Sequence, residues 1–167
     1  QGIEYKPLVM AVQLHDRMII QGFGGRVVLK GGSSRQKEIE VHLKQENPDK
    51  PSPEAKAVLD EWLFSLQRKG DVIEAAIRSP QSKSSWNKLL LGGIPQFYLE
   101  VSCPSIPLEI SWKKGKVVIE NWQSTISANL LQGNLSLKGG KGDAVVRVSH
   151  GELTVDQREG KIVADSF

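Results

Sequence analysis

A glycine returns every nine residues through the last third of the chain, at Gly115, Gly133, Gly142, Gly151 and Gly160, and only Ser124 breaks the series. With each glycine counted as position zero, position two holds Leu108, Val117, Ile126, Leu135, Ala144, Leu153 and Ile162. Position four holds Ile110, Ile119, Ala128, Leu137, Val146, Val155 and Ala164, so both columns are apolar throughout. The positions between them are mostly polar, with Val118, Val145 and Val163 as exceptions. Two apolar residues separated by one outward residue have the period of a short β-strand. Glycine then marks a corner, where the chain turns sharply or backbones approach closely. Position six alternates between apolar (Trp112, Leu130, Val148) and other residues (Asn121, Gly139, Gln157), which doubles the period to eighteen.

A fixed period of this kind predicts a mainly β fold: a single-stack β-solenoid with nine-residue strand-plus-corner units, two strands per coil. Each rung buries its apolar face only against its neighbours. The inward Val, Leu and Ile side chains contribute roughly 1.5–3 kcal/mol each when buried, which offsets the ordering of short strands. The repeats occupy 97–167.

Residues 1–96 read as an irregular N-terminal part, packed on or continuing the solenoid within one structural domain. The stretches LVMAVQL, RVVLK and EIEVHLK have strand character, and GFGG and GGSS punctuate them as turns. One helix is predicted over 53–69, with Ser52 as its cap, Pro53 at the first turn, and an apolar stripe of Ala55, Val58, Leu59, Trp62, Leu63 and Leu66. DVIEAAIR resumes strand character.

The strand ending in proline (LEVSCP), the following strand (PLEISWKKG) and the units GKVVIEN, GNLSLKG, GELTVDQ and GKIVADS resemble the putative-adhesin family of bacterial β-solenoid domains of unknown function. The resemblance implies a solenoid and a surface or envelope role, and it transfers no catalytic residue. Ser124 and the doubled Gly139 and Gly140 depart from the pattern.

The chemistry-bearing residues are sparse. Of 167 residues, 39% are apolar and 25% charged, which is the composition of a folded chain. The net charge of +3 is too mild to imply nucleic acid. No apolar run reaches the length of a membrane helix, so no membrane insertion is expected. Gln1 is not an initiator methionine, which fits a removed leader or anchor as well as a trimmed cytoplasmic protein. Cys103, the sole cysteine, reads as a small buried side chain. His15, His42 and His150 lack metal-ligand spacing, and His15 beside Asp16 is the nearest acid–base pair. Asp143 after Gly142 gives a single partial match to calcium-binding nonapeptides. No cofactor and no metal are expected, and no enzymatic activity.

The function expected is a non-catalytic scaffold or adhesion module, extracytoplasmic, in the periplasm or at the cell surface. Its outward columns, with Thr125, Asn134, Asp143 and Glu152 as partner-facing residues, would meet a protein or a cell-surface polysaccharide. The repeat stops at Phe167 without a polar cap, so the expectation is either a sequence cut short there or a second copy that completes the stack by pairing through end strands. The alternative is a carbohydrate-active β-helix enzyme using surface carboxylates such as Asp156 and Asp165.

Overall fold

The computed structural model describes residues 2–4, 6–32, 35–46, 64–77 and 96–166. These form strands β1 (Gly2–Glu4), β2 (Leu8–Ala11), β3 (Arg17–Gly22), β4 (Arg26–Gly32), β5 (Glu38–Glu46), β6 (Phe64–Lys69), β7 (Val72–Ile77), β8 (Gln96–Pro104), β9 (Leu108–Glu120), β10 (Ile126–Lys138), β11 (Ala144–Asp156) and β12 (Ile162–Ser166). Among the described residues there is no helix. The mainly β character of the chain therefore holds.

The solenoid does not. The described strands make one mixed sheet of 12 strands, in which β1, β2 and β6 are paired antiparallel and β5 runs antiparallel to β8. Two nonapeptides do not give two short strands with a corner each. They merge into a single 13-residue strand that continues through Gly115, Gly133 or Gly151. The expectation failed because a glycine can bend a ladder without interrupting it, and periodicity alone does not separate a bent strand from a corner.

β9, β10 and β11 lie parallel with an offset of eighteen residues, for example Ile126↔Ala144 and Leu137↔Val155. The first half of β9 pairs with β3 and its second half with β4. β7 and β6 extend the sheet beyond β3, while β8 and β5 extend it beyond β4. The sheet thus has two limbs that meet along the glycine line. The buried positions of β9 are Leu108, Ile110 and Trp112 before the bend and Val117, Val118 and Ile119 after it; all of them except Val118 join the one core. This change of parity turns the apolar side of each limb toward one core, which joins Met18, Ile20 and Ile73 of the first limb to Val27, Leu29 and Leu99 of the second.

The glycines are fixed by contact as well as by dihedral angle. Gly133 has φ 134°, and a Cβ on it would run into the carbonyl oxygen of Gly115; a Cβ on Gly151 would meet Gly133 in the same way. The stack begins one layer earlier at Gly25, whose carbonyl oxygen lies against Gly115. At the opposite turn, Asn121, Gly139 and Gln157 form an eighteen-residue column of positive φ (53°, 63° and 56°). The doubled glycine has its reason here, because a Cβ on Gly140 would collide with the backbone of Trp122 and crowd Arg158. Arg158 Nη1 and Nη2 donate to the carbonyl oxygens of Trp122 (2.6 Å) and Ser124 (2.8 Å), tying one turn to the turn two layers back.

Of the fourteen repeat positions expected inside, ten are buried, Leu153 and Ile162 are half-buried, and Val155 and Ala164 are exposed. Burial fades toward β12 because that strand covers only Ala144–Val148 of β11.

The helix predicted over 53–69 is corrected in its last turn. Phe64–Lys69 is β6, closed onto β7 by a turn at Gly70, whose φ is 63°. Leu66 packs against the core and Arg68, two residues on, reaches Asp16, which is strand spacing. Gly70 marks a hairpin and not a helix end. Ser52, Pro53 and the stripe up to Leu63 lie outside the described residues.

Gly133→Ala should lower the unfolding free energy by about 2–4 kcal/mol, combining left-handed strain with a backbone clash. Gln157→Gly should raise it by about 1 kcal/mol by relieving a left-handed non-glycine residue. Urea denaturation of both variants checks the pair of signs.

Candidate functional site

The outward side of the first limb carries a row of polar residues in register, Gln21, Ser111, Asn129, Arg147 and Asp165. They face away from the core because they alternate with buried Ile20, Ile110, Ala128 and Val146. Where the limb meets the bend, this row borders a groove of about 520 Å³, whose lining also includes Phe23, Trp112, Lys113, Leu131 and Ser149. Trp112 gives the groove a rigid wall: it is 2% exposed, and its ring lies over Gly22, where a Cβ would come within 2.6 Å of it. Its Nε1 is sealed from solvent without a hydrogen-bond partner among the described residues.

The rim is cationic and partly apolar. Lys113 and Arg147 supply two positive charges, and Leu131 is 53% exposed. Arg147 Nη2 lies 3.7 Å from Asp165 Oδ2, with both side chains more than half exposed. A pair of this kind is worth little in water and exchanges readily. Beside Arg147, Val145 and Val163 form an exposed apolar pair in register.

The four residues expected to face a partner are all exposed but fall into two places. Asn134 and Glu152 stand in register just past the glycine line, beside Lys116. Thr125 and Asp143 sit at the opposite turn, where their carbonyl oxygens accept from Leu108 and Ile126 N–H. Asp143 also accepts from Lys161 N–H through Oδ1 (3.2 Å), so its side chain stitches one layer to the next. The groove residues were missed because position five carries no pattern at a nine-residue period. Spacing by eighteen picks out Ser111, Asn129 and Arg147.

The remaining chemical candidates have structural places. Asp16 is 2% exposed and takes a two-pronged hydrogen bond from Arg68 (2.7 Å to each oxygen) together with Gln13 N–H; the Arg68 hydrogen bond holds its carboxyl below the usual range. His15 points to solvent. Cys103 is fully buried, and burial pushes its thiol up to about 12. Asp156 registers with Lys138 on the second limb and Asp165 with Arg147 on the first, so they do not face each other as a hydrolytic pair. Among the described residues, no group of three His, Cys, Asp or Glu side chains could hold a metal.

No protein-family model matches the chain, and no curated protein matches it. Solved structures similar to it include a putative cell adhesion protein from Clostridium sporogenes (11% identity, TM-score 0.45, covering 96% of this chain and 98% of that one). A putative adhesin from Bacteroides fragilis is 11% identical with TM-score 0.40, covering 99% and 96%. A putative lipid binding protein from Parabacteroides distasonis is 7% identical with TM-score 0.32, covering 96% of each chain. At these scores the names describe those proteins only.

Asp16 contributes stability that is full above its unfolded pKa of about 4 and is lost as pH falls through its lowered folded value. Asp16→Asn should cost roughly 3 kcal/mol at pH 7 and flatten the acid limb of the stability profile, as read from urea midpoints between pH 2 and 7. Cys103 should react with a thiol reagent at pH 8 only after denaturant is added, giving one equivalent.

Proposed function

We propose that the chain is a non-catalytic adhesion or scaffold module of a bacterial surface or envelope protein, which binds its partner through the outward side of the first limb. The observation that carries this reading is the in-register row from Gln21 to Arg147 beside the groove. A ladder fixes such side chains about 4.8 Å apart on a rigid backing, which suits repeated contact with an extended partner. The carboxylates that would make the surface hydrolytic stand on different limbs, and one of them is paired with Arg147. The surface or envelope placement rests on the resemblance of the units GKVVIEN, GNLSLKG, GELTVDQ and GKIVADS to bacterial adhesin domains.

Fluorescently labelled protein should bind intact bacterial cells or isolated envelopes saturably, and Asn129→Trp, which fills the middle of the row, should abolish that binding. The same protein should turn over no member of a polysaccharide panel. Polysaccharide cleavage that Asp156→Asn removes, or envelope binding that Asn129→Trp leaves unchanged, contradicts the proposal.

A further inference from the structure

We infer that the groove at the bend of the first limb recognises a carboxylate-bearing polysaccharide, with Arg147 as the anchor for the acid group; this rests on the binding role proposed above. A cavity of about 520 Å³ falls within the range of roughly 300–1,000 Å³ occupied by small-ligand sites. Its lining separates into three chemistries. Gln21 and Asn129 offer amides, and Ser111 and Ser149 hydroxyls, each able to donate and accept as sugar hydroxyls require. Phe23 and Leu131 offer apolar surface for the C–H face of a sugar ring. Arg147 and Lys113 offer positive charge, and a guanidinium fork matches a carboxylate in two hydrogen bonds.

An acidic peptide would share the charge, but it would leave the amides and hydroxyls to compete with a peptide backbone for which the limb offers no open edge at this place. β9, β10 and the first half of β11 are each paired on both sides. A purely apolar ligand would strand six polar or charged lining residues. A polymer fits better than a single sugar because Gln21, Ser111, Asn129 and Arg147 follow one another along the groove at ladder spacing, a length that spans more than one sugar unit.

The ion pair within the row gives the inference its sharpest test. A ligand carboxylate must take over Arg147 from Asp165, whose exposed pairing is weak. Asp165→Asn removes one competing acidic partner of Arg147 and should tighten binding about two- to fivefold. A structural role for Asp165 would not produce tighter binding.

The experiment uses surface-immobilised polygalacturonate, neutral dextran and polyglutamate, with binding of the whole chain read by biolayer interferometry. Polygalacturonate should bind, weaken with salt, lose about tenfold or more in affinity with Arg147→Gln, and bind Asp165→Asn more tightly. Equal binding to dextran, polyglutamate binding as tight as polygalacturonate, or affinity untouched by Arg147→Gln overturns the inference. So does no binding to polygalacturonate: if labelled protein still binds envelopes in an Asn129-dependent way, the adhesion reading survives alone, and if it does not, both fall. Thermal unfolding of each variant at the wild-type midpoint shows that the exposed substitutions leave the fold intact.

Discussion

Backbone contact along Gly25, Gly115, Gly133 and Gly151 is the constraint on which the rest depends. Gly115, Gly133 and Gly151 each lie against the carbonyl oxygen of the glycine a layer before, and Gly25 against that of Phe97, so closely that no Cβ fits between them. Hydrogen bonding alone would let three long parallel strands run flat, and their apolar faces would then need an outside partner. The bend instead redirects each strand, and the shift of inward positions between Trp112 and Val117 keeps both halves facing the same interior. Packing follows from that geometry: Trp112 takes the space left open by Gly22, and Trp122 closes the turn by donating from Nε1 to Ile106 O at 2.8 Å.

The same bend creates the groove. A flat limb would present its outward row on an open plane, whereas the turn after Trp112 brings Lys113 and Leu131 up beside Ser111 and Asn129. The backing is stiff because the inward neighbours of the row are buried and the strands beneath it are paired on both sides. The backbone beneath the row is therefore held in place, while the exposed side chains on it keep their rotamer freedom. The Arg68–Asp16 pair performs a comparable service at the far side of the limb, tying β6 to the turn before β3.

Much of the interior was legible in the sequence. The columns at positions two and four named ten residues that are buried, and the doubled period read from Trp112, Leu130 and Val148 matches the eighteen-residue offset of β9, β10 and β11. The strand continuity was not legible, because a glycine that bends a ladder and a glycine that ends one look alike in a list of letters. The antiparallel additions were hidden for a different reason: the hairpin of β6 and β7 depends on Gly70 and on Arg68 reaching Asp16, 52 residues away in sequence. Helical spacing across the preceding residues outweighed those local signs. The groove was the least legible part, since Gln21 joins Ser111, Asn129 and Arg147 only through a pairing between β3 and β9 that no period announces.

The central claim is that β9, β10 and β11 run unbroken through their glycines with an eighteen-residue offset. Cross-strand nuclear Overhauser contacts between amide and α protons in labelled protein test it most directly. The account predicts contacts linking each residue to the neighbourhood of the one eighteen positions on, from Ile126 through Lys138, on both sides of Gly133. Contacts at a nine-residue offset, or a ladder that stops at Gly133 and resumes against a different strand, would contradict it.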